Sequence, residues 1–220
     1  MSFAPKLSVL PAAQRAVWSD LKPLASRFVL YGGTALALRL GHRQSEDFDF
    51  FADAPVNPDE LLNSLPLLKG ATVRQKAANT LTVTVHRSQP VKISFFGLSL
   101  RRVKNPEATN DGVARVASLL DIAACKMAVV QSRSESKDYL DVAALLKNGV
   151  TLADALGAAQ AVYGEQFNPL ITLKALNYFG DGDLAALPEA VKQSLRAAAA
   201  IKEVSHFEPL PGGIVPAEKS

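Results

Sequence analysis

Asp47 and Asp49 stand one residue apart in the run Asp47-Phe48-Asp49-Phe50-Phe51, and Gly32-Gly33-Thr34 lies a short way upstream. Polar and aromatic residues alternate here as in a strand with one buried face, so the two carboxylates share one side and Phe48 and Phe50 the other. Residues two apart on a strand are about 6.5–7 Å apart at Cα. Two ionised carboxylates at that spacing repel, and no cation separates them in the sequence. A divalent ion, a lysine from another segment or water must compensate. Mg²⁺, or Mn²⁺ in its place, suits such a pair, because it takes one or two carboxylates and fills its shell with waters and substrate phosphates. Gly32 and Gly33 let a ligand approach the backbone. The helix start that follows offers free N–H groups to phosphate, and Thr34 can cap that helix or bond a phosphate oxygen. A phosphate cradle beside a metal-holding pair is the chemistry of a Mg²⁺–triphosphate site. Taken singly, the glycine pair also reads as a tight turn and the Asp-Phe-Asp-Phe stretch as an exposed edge strand. Their order (strand, Gly-Gly-Thr, helix, loop, acid pair) is what singles the stretch out.

The elements that must position these residues follow from periodicity and breakers. Pro11 opens a helical pattern through Ser26, and Arg27–Tyr31 reads as a short buried strand ending at the glycines. Thr34–Leu40 is a brief apolar helix stopped by Gly41. Asn57-Pro58-Asp59-Glu60 combines a cap, a proline at the first helical position and first-turn acids. Strands are expected at 71–76, 81–86 and 91–96, with Arg101–Lys104 as an added edge. Beyond residue 113 the pattern turns helical. Ser118 with Asp121 and Ser132 with Glu135 have the spacing of capping boxes; Thr151 and Asn168 start two more helices, and a last one spans Pro188–Val204. The expected organisation is an α+β domain over residues 1–110, a helical domain over 111–206 and a flexible tail over 207–220.

The stretch from Gly32 to Phe51 resembles the nucleotidyltransferase signature of a glycine pair, a short helix and Asp-x-Asp on the next strand. In fuller detail it is similar to the nucleotidyltransferase-like AbiEii/AbiGii toxin family, within the polymerase-beta-like superfamily. Arg43, Ser45, Asp47 and Asp49 fall on that family's Arg-x-Ser-x-Asp step and acid pair. Leu119–Leu146 resembles its helical motif of a lysine, an arginine and Lys-Asp-x-x-Asp, with Lys126, Arg133, Lys137, Asp138 and Asp141 in those places.

The resemblance implies a nucleotidyltransferase-fold mixed sheet with flanking helices, followed by a C-terminal helical bundle. It implies Asp47 and Asp49 as catalytic metal ligands and Lys126 as a catalytic cation. Gly32, Gly33, Thr34, Arg43, Ser45, Lys137, Asp138 and Asp141 are implied as nucleotide-binding residues. The expected reaction moves a nucleotide from an NTP to an acceptor hydroxyl, tRNA or other RNA in some relatives, in toxin–antitoxin or phage-defence systems, with a cognate antitoxin as partner. An internal salt-bridge set joining two helices is the alternative for Arg133, Lys137 and Asp138.

One position departs from the pattern. Polymerase-like relatives place a third carboxylate on a neighbouring strand, where Val91–Phe96 offers Ser94. A serine is a poor base and a weak metal ligand, and loss of a general base costs about 10²–10⁴ in rate. His86 on the preceding strand is a second base candidate but reads more readily as a surface residue. Ser94 therefore leaves open a catalytically impaired nucleotide- or protein-binding module. Transfer to a small hydroxyl compound, as in antibiotic-modifying enzymes, is a further reading: an acidic pocket favours it and a broad basic groove favours RNA.

Composition sets the outer bounds. The chain has 220 residues, 48% hydrophobic and 20% charged, enough to bury a sizeable core. No apolar run reaches the roughly 18 residues of a membrane span, and no secretory signal is evident at the N-terminus. A single cysteine, Cys125, rules out an internal disulfide and points to the cytoplasm. Residues 1–110 carry 14 Lys and Arg against 8 acids, and the remainder 10 against 13. A basic first half is compatible with a polyanionic partner.

Overall fold

The computed structural model describes residues 2–97 and 100–210. Residues up to 100 together with 105–117 form one compact unit, and residues 101–104 with 118–210 form a second.

The first unit is built on a mixed sheet. Its strands are β1 (Ser2–Phe3), β2 (Val29–Tyr31), β3 (Phe48–Phe51), β4 (Thr72–Ala77), β5 (Thr80–His86), β6 (Pro90–Phe96), β7 (Glu107–Thr109) and β8 (Arg115–Val116), in the order β1-β7-β8-β2-β3-β6-β5-β4. Strands β2 and β3 pair antiparallel, β3 and β6 parallel, and β4, β5 and β6 form an antiparallel meander. Period-2 alternation governs the packing. Phe48 and Phe50 are fully buried, and their rings meet Trp18 (6.3 Å) and Phe95 (5.9 Å) respectively, with Phe28 5.3 Å from Phe95. Each such ring removed from water contributes about 1.5–3 kcal/mol. That aromatic layer anchors β3 and turns its odd-numbered carboxylates to the opposite face. The far edge, β4, is exposed along its length and carries Arg74, Lys76 and a register shift between Val73 and Gln75, which discourages edge-to-edge pairing.

Among the described residues three α-helices belong to this unit. The pattern beginning at Pro11 gives α1 (Ala12–Trp18) and then a 3-10 stretch over Ser19–Leu24 rather than one continuous helix, because Pro23 has no N–H to donate. The second, α2 (Gly32–Leu40), starts two residues earlier than its apolar pattern suggests and ends at Gly41, whose φ of +70° permits a left-handed C-cap closing on the Ala37 carbonyl. The third, α3 (Pro58–Ser64), begins as expected: Asn57 Oδ1 accepts the N–H groups of Asp59 and Glu60.

The second unit contains α4 (Leu119–Ser132), α5 (Ser136–Lys147), α6 (Leu152–Tyr163), α7 (Pro169–Ala175) and α8 (Glu189–Ala198). Ser118 caps α4 through the Asp121 N–H, and Thr151 caps α6 through the Asp154 N–H. Three expectations are corrected here. Arg101–Lys104 is no sheet edge: the N–H groups of Val103 and Lys104 go to the buried Asp121 carboxylate at 2.7 and 3.2 Å, so this segment is spent on the start of α4. Ser132 does not cap α5. It is the last residue of α4, donating to the Val129 carbonyl, and Asp183 takes the capping role by accepting both N–H and Oγ–H of Ser136. The last helix stops at Ala198 rather than Val204, and the chain then crosses α6 at Gly157. There a Cβ would lie 1.9 Å from the Ser205 carbonyl oxygen, while Ser205 donates to Ala153 and Asp154. Of the tail expected from residue 207, residues 211–220 lie outside the described ones. Among the described residues no single helix is long and apolar enough to cross a membrane.

Candidate active site

The acid pair and the glycine turn meet in the first unit. Strand β3 runs beside β2 with Asp49 opposite Tyr31, the residue preceding the turn. A Cβ on Gly32 would stand 2.9 Å from Asp49 Oδ2, and the Gly32 φ of +76° already disfavours any side chain. The carboxylate therefore lies directly against the bend. At Gly33 a Cβ would meet an Arg43 guanidinium nitrogen at 2.4 Å and Ser45 Oγ at 3.3 Å, so glycine here makes room for the arginine. A guanidinium beside a helix N-terminus sits at the positive end of the dipole, an arrangement that favours an anion nearby.

The loop joining α2 to β3 is pinned from two sides. The buried Thr34 hydroxyl bridges Ser45 Oγ, at 2.8 Å, and the Asp47 carbonyl, to which it donates. Gln14, buried on α1, donates Nε2 to the Glu46 carbonyl at 3.0 Å. Thr34 thus orders the backbone of the acid-bearing segment, whereas the sequence suggested a cap or a phosphate ligand. Gln14 was not foreseeable, because nothing local marks a glutamine that reaches across 32 residues.

Strand β6 completes the row. In the parallel pairing Asp49 faces Ser94 and Phe48 faces Ile93, which sets Lys92 beside Asp47. Lys92 Nζ and Asp47 Oδ2 are 3.0 Å apart, both side chains about half exposed. Ser94 is buried, with Thr82 Oγ1 at 3.4 Å, and so holds the position next to Asp49 where the polymerase-like pattern has a third carboxylate. His86 is exposed at the end of β5 against Thr72. Among the described residues no third Asp, Glu, His or Cys joins Asp47 and Asp49 in a metal-binding group. The donor set is all oxygen and hard, which fits Mg²⁺ or Mn²⁺ drawing its remaining ligands from water and phosphate.

The second motif gathers in the helical unit. Lys126 Nζ, on α4, lies 2.7 Å from Asp138 Oδ1 and 2.6 Å from Asp141 Oδ2, both on α5, and all three side chains are buried. Spacing at i, i+3 puts the two aspartates on one helix face, which is why a single lysine reaches both. Arg133 adds a two-pronged contact to Asp138 through Nε at 2.7 Å and Nη2 at 3.1 Å. Lys137 turns away to Glu135 at 2.6 Å and is exposed.

Burial pushes the Asp138 carboxyl up, but the bonds from Arg133 and the charge of Lys126 outweigh it and hold the group below the usual carboxylate range. A depressed folded-state value gives a stability term complete above the unfolded value, near pH 4, and lost as pH falls through the lower folded value. Thermal melts between pH 2 and 6 should therefore show a steep acid loss of melting temperature that flattens in Asp138→Asn. An unchanged slope would mean that this carboxyl is not the one being protonated.

A family model described as nucleotidyl transferase AbiEii toxin, type IV TA system, matches residues 16–211. An uncharacterized protein of Aquifex aeolicus is 31% identical over 161 residues, covering 72% of this chain and 76% of that one. Two solved structures are similar. JHP933 of Helicobacter pylori has a TM-score of 0.57 at 20% identity over 85% of this chain and 88% of that one. MenT4, a nucleotidyltransferase toxin of Mycobacterium tuberculosis, has 0.54 at 16% identity over 84% and 80%. At such identities the likeness speaks for the fold, a mixed sheet with flanking helices followed by a helical bundle.

Proposed function

The chain belongs to the nucleotidyl transferase AbiEii toxin family and is a nucleotidyltransferase, and from that premise we propose that it moves a nucleoside monophosphate from an NTP to an acceptor hydroxyl in a Mg²⁺-dependent reaction centred on Asp47 and Asp49. The observation that carries the reading is the close approach of the Asp49 carboxylate to Gly32, which sets an acid against the first turn of α2. In this assignment Asp47 and Asp49 hold the divalent ion. When bound, that ion neutralises phosphate charge and polarises the α-phosphorus. The N–H groups at Gly32 and Gly33, with Arg43 beside them, receive phosphate oxygens, while Thr34 and Ser45 keep the acid-bearing loop in register. The acceptor oxygen attacks the α-phosphorus in line, the bond to the β-phosphate oxygen breaks, pyrophosphate leaves and the hydroxyl proton passes to solvent. Catalysis comes from positioning and fixed charge.

We assign Lys126, Asp138 and Asp141 chiefly to ordering the helical unit, since they are buried and paired with one another, with Arg133 as the second cation. The acceptor is assigned to RNA, tRNA included, over an aminated small molecule. Lys92 lies on β6, next to the acid pair, and Arg74, on the far-edge strand β4, donates to Thr84 Oγ1 on β5, where Thr82 and Thr84 stand between the two cations in place of acids. A cognate antitoxin and a cytoplasmic setting complete the proposal.

The test incubates the protein with each labelled NTP, Mg²⁺ and total cellular RNA, and asks which RNA becomes labelled. No label on any RNA, together with no pyrophosphate release, defeats the transferase reading. Ser94 supports a second reading, a module that binds nucleotide without turnover. Calorimetric binding of a Mg²⁺–NTP with no pyrophosphate release would select it.

A further inference from the structure

We infer that Lys92 is a built-in counter-cation of the acid pair: it competes with the divalent ion for Asp47, so the site takes up its metal together with a triphosphate rather than as the bare ion. The inference rests on Asp47 and Asp49 being the metal ligands. Four observations lead to it. The parallel register of β3 and β6 sets Lys92 beside Asp47 on the acid face, while Ile93 between Lys92 and Ser94 is buried in the core and holds that register in place. The ammonium and carboxylate are in direct contact at 3.0 Å. Both side chains are about half exposed, so the pair is screened and readily exchanged, unlike the buried lysine cluster of the helical unit. And Lys92 shows no second carboxylate partner among the described residues.

Bare Mn²⁺ or Mg²⁺ approaching Asp47 must displace the ammonium and then sit close to it, cation beside cation, so its affinity is lowered. A metal–triphosphate brings its own anionic oxygens. The freed Nζ, on a flexible four-carbon stem, turns to one of them and exchanges one anionic partner for another. Lys92 thereby separates the two forms in which metal reaches the site.

Free Mn²⁺ measured by electron paramagnetic resonance reads this without turnover. Lys92→Met should bind bare Mn²⁺ about two- to fivefold more tightly than the parent. In the presence of inorganic tripolyphosphate the gain should disappear or reverse, and Lys92→Arg should behave as the parent. The gain should also vanish when Asp47→Ala is added. Equal binding of bare Mn²⁺ by parent and Lys92→Met, including none by either, overturns the inference. If Mn²⁺ binding is instead indifferent to loss of both acids, the assignment of the metal ligands fails, and this inference with it.

Discussion

Replacing Asp47 and Asp49 together by alanine should lower nucleotide transfer about 10³-fold or more while leaving the fold intact. The size follows from what the pair is asked to do. Metal-borne charge stabilisation is worth several kcal/mol, and even one donor lost from a preorganised anion site costs about 10²–10³ in rate. The fold should tolerate the change because β3 is held by Phe48 and Phe50 on the opposite face and by its pairing with β2 and β6. Asp47 is about half exposed, and its ion pair with Lys92 is a surface one worth about 0–1 kcal/mol. Circular dichroism and thermal melts should match the parent within a few degrees, while pyrophosphate release disappears. A double variant that still releases pyrophosphate at the parent's rate would mean that the reacting phosphorus lies elsewhere. One that fails to fold would mean that the carboxylates are structural, bonding the turn they lie against.

How far the sequence could be read depends on the range of the interaction concerned. The acid pair and its facing were legible because strand alternation is local: once Phe48 and Phe50 are core, Asp49 must point the other way. The caps at Asn57, Ser118, Thr151 and Asn168 act within a few residues and were legible for the same reason. The partner of Asp47 was not, because Lys92 lies 45 residues on and becomes its neighbour only through the parallel register of β3 and β6. Asp183 capping α5 from 47 residues away, in place of the expected Ser132, is the same failure in the helical unit. Arg101–Lys104 misled by propensity, since its backbone donors answer to the buried Asp121 rather than to a strand. Strands β1, β7 and β8 are two or three residues long, too short for any period to show. Short-range order places the candidate site, and long-range pairing decides which charges share it.

Lys126→Met should destabilise the protein by about 3–5 kcal/mol, a fall in melting temperature of roughly 10 °C. The lysine is the common partner of Asp138 and Asp141, whose side chains have no exposed surface. Arg133 continues to serve Asp138, while Asp141 loses an ion pair of 2.6 Å inside the protein. The penalty is that of breaking a buried ion pair by removing one partner, which exceeds the net worth of the intact pair. Adding Asp141→Asn to Lys126→Met should restore part of the lost stability, because the second change removes a buried carboxylate whose lysine partner the first took away. A lysine whose work is to touch substrate would behave otherwise: Lys126→Met would keep the parent's melting temperature and lose transfer alone, and Asp141→Asn would bring nothing back. Assaying each variant well below its own melting temperature separates the two roles, since a purely structural loss returns to the parent's rate once the helical unit is folded.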